Sequence, residues 1–99
     1  MDQRNQLDGL KRTGRMRWLP GEGAWVARPD DVVDALASDG YQQYKHEVAR
    51  SGHQSTGGMW QGINTETGSV ASAIWVQRPT HDDTIVFIDI DGRPLTESA

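Results

Sequence analysis

Thr84-Ile85-Val86-Phe87-Ile88-Asp89-Ile90 is apolar on both sides of an extended chain. Successive side chains of a strand point to opposite faces, so Val86, Ile88 and Ile90 go one way and Ile85 and Phe87 the other. Two apolar faces read as a central strand covered on both sides, with Val86, Phe87 and Ile88 nearly inaccessible. Two further runs precede it, Met59 to Asn64 and Ser69 to Gln77, joined by Thr65-Glu66-Thr67-Gly68. Each is short, rich in β-branched or aromatic residues and bounded by turn formers, so the three form an antiparallel meander. Gly68 suits the left-handed position of a bulged hairpin turn. In the middle run Val70, Ser72, Ile74 and Val76 share one face, and Ala71, Ala73 and Trp75 share the other. Small residues beside a Trp leave room for a close-packed helix.

Upstream, Arg15 to Leu19 and Ala24 to Ala27 flank Pro20-Gly21-Glu22-Gly23. If that loop closes a hairpin, Leu19 faces Ala24 and Trp18 lies opposite Trp25, a cross-strand aromatic pair. Pro29 fits the first turn of a helix, with Asp30 and Asp31 complementing its positive end and Val32, Val33 and Leu36 as its apolar stripe. Asp39-Gly40 stops it. A second helix is expected from Tyr41 to about Arg50, with Tyr41, Tyr44 and Val48 inward and Gly52 at its exit. The four-residue spacing of Leu36, Gly40, Tyr44 and Val48 also allows one longer helix broken by glycine. Residues 1–14 are either a frayed arm or a short docked helix anchored by Leu7 and Leu10. The fold class is therefore α+β, a single domain over residues 1–99: an N-terminal hairpin, one or two helices, then a three-stranded antiparallel meander with the helices on one face.

The sequence is 35% hydrophobic and 24% charged, as in a globular chain rather than a disordered one. No apolar run reaches the length of a membrane span and the polar start has no secretory core, so a cytoplasmic protein without membrane association is expected. With no cysteine, disulfides, thiolate zinc sites and cysteine nucleophiles are excluded. Net charge is −4, unevenly placed. Arg4, Lys11, Arg12, Arg15 and Arg17 form a basic arm that could touch nucleic acid, whereas Asp30, Asp31 and Asp34 cluster without a base among them, as do Asp82 and Asp83 in the C-terminal part.

Ile85-Val86-Phe87-Ile88-Asp89-Ile90-Asp91-Gly92 resembles the first motif of haloacid-dehalogenase-type phosphatases, which would make Asp89 the nucleophile and Asp91 the acid/base. Arg93 stands where that family carries Thr, and no downstream lysine or metal-binding carboxylates follow. A strand running into an Asp-Gly turn accounts for every residue of the segment. Ser55-Thr56-Gly57-Gly58 leads into a strand without a lysine, so it reads as a mobile connector rather than a phosphate loop. His53 and His81, with Lys45 and Arg50 as cations, are the residues a metal-independent ribonuclease could use for acid/base work, and His46 shares a helical face with Arg50. The element order resembles that of RelE-like bacterial ribonuclease toxins, in layout alone. The four tryptophans are expected in one core cluster.

Two functions follow from this reading. One is a non-enzymatic protein-binding module, of the inhibitor or immunity kind encoded by bacteria or phages, which occludes a macromolecular partner using Asp30, Asp31, Asp34, Asp82 and Asp83. The other is the histidine ribonuclease. Net acidity favours the first, because a nuclease gains from positive charge. No cofactor and no metal site is expected.

Overall fold

Trp18 lies opposite Trp25 in a hairpin of β1 (Met16–Leu19) and β2 (Ala24–Ala27), with Leu19 opposite Ala24 as the loop length requires. The two indoles meet edge-on, ring centroids 5.0 Å apart. This is a computed structural model, and it describes residues 6–52, 54–81 and 83–97. Ahead of the hairpin, α1 (Gln6–Arg12) is a docked helix that buries Leu7 and Leu10. After it comes α2 (Pro29–Ser38), with Pro at its start, two aspartates in its first turn and Val32, Ala35 and Leu36 buried, as its sequence dictates.

Residues 42–51 depart from the expected helix. They form β3 (Gln42–Ser51), which pairs with β4 (Gln54–Ile63). Tyr44 and Val48 are four apart, a spacing that suits a helix face and equally one side of a strand, so their periodicity could not decide between them. Weak helix formers at Tyr44, His46 and Val48 alternate with strong ones at Lys45, Glu47 and Ala49, so propensity is divided too, and the long partner strand settles the choice. β4 also takes in Ser55 to Gly58, so the expected connector is strand. Gly58 has a packing reason: a Cβ there would stand 2.6 Å from Cζ2 of Trp75 and 2.7 Å from the Glu47 carbonyl oxygen.

β5 (Val70–Arg78) and β6 (Asp83–Ile90) complete the meander, and β7 (Arg93–Pro94) pairs with the end of β6. Gly68 has φ 78°, the left-handed value its turn needs. Asp91 and Gly92, at φ 54° and 79°, form the two-residue turn into β7, so the Asp-Gly reading holds. Asp91 also clamps the sheet, its carboxylate accepting from Ser69 Oγ at 2.9 Å and Val70 N at 2.8 Å. Because the Ser69 hydroxyl donates to Asp91, the Tyr41 hydroxyl 2.8 Å from Ser69 Oγ is the donor in that contact.

The three-stranded meander thus belongs to a larger sheet. Among the described residues seven strands form one antiparallel sheet in the order β1-β2-β6-β5-β4-β3, with β7 beside β6. Alternation along that order makes β2 and β3 run the same way, which requires a crossover, and α2 supplies it. Both helices pack on one face, where Leu7, Leu10, Val32 and Leu36 meet Trp25, Trp60, Trp75, Val86 and Ile88. Three tryptophans are buried in this core and Trp18 packs against it. Trp25 Nε1 donates to the Leu95 carbonyl at 2.9 Å and Trp60 Nε1 to Gln43 Oε1 at 2.8 Å, so neither indole N–H is buried unpaired. Ala71 and Ala73 are fully buried where α2 crosses β5, the close approach their size allows.

Candidate functional site

Among the described residues the other face of the sheet carries no helix. Registers place Val26, Ile85 and Val76 in one row across β2, β6 and β5, and Phe87, Ile74 and Met59 in the next across β6, β5 and β4. Ile74 is 52% exposed, Val76 44% and Phe87 39%, while Ile85 lies buried between its neighbours. This overturns the expectation that Phe87 is inaccessible and that the central strand is covered on both sides. The sequence makes β6 apolar on two faces, and the two described helices cover only one. An antiparallel sheet whose outer face meets water normally alternates to polar residues there, and β5 and β6 do not at these positions.

Charged residues surround the band. Arg17 stands opposite Val26, Asp89 opposite Ser72, and Lys45 and Glu47 line the β3 side, 4.0 Å apart. At one end Arg78 grips Asp83 with two bonds, Nε to Oδ1 at 2.7 Å and Nη2 to Oδ2 at 2.6 Å. That hydrogen-bonded guanidinium holds the Asp83 carboxyl below its usual range, against the opposing effect of partial desolvation, and Asp83 raises Arg78 in return.

The described aspartates of the expected anionic surface are divided by the fold. Asp31 is bound to Arg15 at 3.0 Å and Asp83 to Arg78, bases 16 and 5 residues away along the chain that the fold makes adjacent in space. Asp30 and Asp34 project from α2, on the helix side and away from the apolar band. Asp82 lies outside the described residues. Within the basic arm, Lys11 is engaged by Asp8 at 3.1 Å and sits 5.7 Å from the Trp25 ring centroid. Arg15 holds Asp31, Arg12 and Arg17 are exposed, and Arg4 lies outside the described residues.

The ribonuclease set is divided. Lys45 pairs in register with Gln61 on the open face, whereas Arg50 lines a cleft on the helix face. His81 sits in the turn between β5 and β6, its Nδ1 2.9 Å from Thr80 Oγ1, and His53 lies outside the described residues. The cleft, of about 390 Å³, brings Arg50 together with His46, Arg28 and Asp30 beside Trp75, whose ring centroid is 6.1 Å from that of His46. His46 and Arg50 do share a face, but across a strand rather than along a helix. Sequence reasoning missed Arg28 here, because only the crossover brings the start of α2 to β3 and β4.

Among the described residues no group of three or more His, Cys, Asp or Glu side chains is placed to hold a metal ion, and no helix is long and apolar enough to cross a membrane. No family model matches the chain, and neither does any curated protein or solved structure.

Proposed function

We propose that the protein is a non-enzymatic binding module that docks another protein on the open face of its sheet. The observation that carries this reading is the mismatch between a sequence built for burial on two faces and a fold that covers one. Exposed apolar rows of this extent, ringed by charge, are the usual composition of an interface centre and its rim. Phe87, Ile74 and Val76 are the anchors, and Arg17, Lys45, Glu47 and Asp89 form the rim. The partner is a basic protein with an apolar patch of its own, since the net charge of −4 attracts such a partner at long range. Asp30 and Asp34, on the opposite side, act through that field rather than by contact. Covering the partner's own working surface is what such a module does, in the manner of an inhibitor or immunity protein.

The test is a binding measurement with the partner isolated by a tagged full-length chain from the native host. Ile74→Asp and Phe87→Asp are each expected to weaken binding at least about tenfold by placing a charge in a desolvated contact. Rising salt is expected to slow association. Binding unchanged by both substitutions would refute the proposal.

A further inference from the structure

Among the described residues β3 is an uncovered edge of the sheet. All ten of its residues are exposed, on both faces. Its ladder to β4 is irregular between Gln43 and Lys45 and again between Ala49 and Arg50, and it runs unbroken from Lys45 to Ala49 between these points. Over that stretch the outward backbone groups meet no strand among the described residues. An edge this long invites pairing, and proteins normally blunt it, with lysine above all, because a lysine pressed against a neighbouring strand is an uncompensated charge.

Here the charges on either side of His46 have opposite signs. A two-fold axis through His46 and perpendicular to the sheet would set Lys45 opposite Glu47 of a second copy, and Glu47 opposite its Lys45. Val48, 40% exposed, and Tyr44, 56% exposed just outside the regular stretch, add apolar surface along the same edge. Moving the axis to Lys45 faces that lysine with itself, and moving it to Glu47 faces that glutamate with itself. Like charges directly opposite are destabilising, and the register about His46 is the one that pairs Lys45 with Glu47, twice over, so the charge pattern favours it. Within the chain Lys45 Nζ is 4.0 Å from Glu47 Oε2, a distance that leaves both groups able to take a closer cross-strand partner.

We propose that β3 pairs antiparallel with β3 of a second copy of this chain about His46, joining two sheets into one. Both apolar bands then lie on the same side of the dimer. The contact shares Lys45 and Glu47 with the rim of the proposed docking face but none of its apolar anchors, and it is read by the oligomeric state rather than by partner binding.

The experiment is the mass of the full chain in solution over a concentration series, by sedimentation, with circular dichroism to confirm folding. The unsubstituted chain is expected to dimerise. Lys45→Glu and Glu47→Lys each turn two opposite-charge pairs into like-charge pairs and are expected to raise the dimer dissociation constant by roughly tenfold. The double variant Lys45→Glu/Glu47→Lys restores both pairs and is expected to recover dimerisation, and an equimolar mixture of the two single variants is expected to form the mixed dimer. Ile74→Asp is expected to leave the dimer intact. A chain that stays monomeric up to millimolar concentration overturns the proposal, as does a dimer indifferent to both single reversals, a folded double variant that stays monomeric, or loss of the dimer in Ile74→Asp.

Discussion

Ile74 and Phe87 stand directly opposite each other in the β5–β6 ladder, side by side on the face turned away from α1 and α2. Each continues a strand whose other face is buried to the last atom at Ala73 and Val86. The pair marks where the fold stops short of the burial its sequence provides for.

Phe87→Ala is therefore expected to cost about 1–2 kcal/mol in chemical denaturation, less than at a buried site because the residue is already 39% exposed. Trp60→Ala, at a buried site, is expected to cost about 3–5 kcal/mol. Equal costs at the two positions would mean that Phe87 is covered.

Gly58→Ala is expected to destabilise by about 1–3 kcal/mol through overpacking. The added Cβ would meet the Trp75 ring and the Glu47 carbonyl oxygen, and the second cannot move without disturbing the β3–β4 ladder. Thermal unfolding measures it, with Gly21→Ala as the comparison, since nothing lies within 4 Å of a Cβ at Gly21. Indistinguishable midpoints would contradict the placement of Trp75 over Gly58.

Trp18 and Trp25 are expected to be coupled by about 0.5–1.5 kcal/mol in a double-mutant cycle of Trp→Leu substitutions, as an edge-on aromatic pair across a ladder should be. Additive single effects would break the hairpin register.

Asp83 has its carboxyl pKa lowered in the fold, chiefly by the hydrogen bond from Arg78. A depressed native pKa means that the unfolded state binds the proton first. The stabilisation is thus present above the unfolded value, near 3.8, and is lost as pH falls through the lower native value. Asp83→Asn is expected to flatten the acid limb of the stability profile in that window while leaving the remaining carboxylates to titrate. An unchanged acid limb would place Asp83 free of Arg78 in solution.

Much of the fold was legible because it is local. The β1–β2 register followed from loop length, α2 from Pro29 and its aspartates, and the turn at Gly68 from the need for positive φ. β3 was not legible, since Tyr44 and Val48 satisfy both periods and its pairing with β4 is a tertiary choice. The candidate site was half legible. Apolar alternation in residues 84–90 identified two burying faces, but which face the helices take depends on the crossover through α2. The ion pairs that neutralise Asp31 and Asp83 were hidden in different ways: Arg15 reaches Asp31 only through folding, while Arg78 needed the β5–β6 hairpin to turn back on itself.

The claim that the open sheet face receives a protein partner is tested most directly by site-specific photo-cross-linking in the native host, with a benzophenone side chain at Ile74 in one chain and at Ala37, exposed on α2, in another. The account expects a discrete protein adduct from position 74 that is lost when Phe87→Asp is added, and no such adduct from position 37. The same adduct from position 37, or none from position 74, would contradict it.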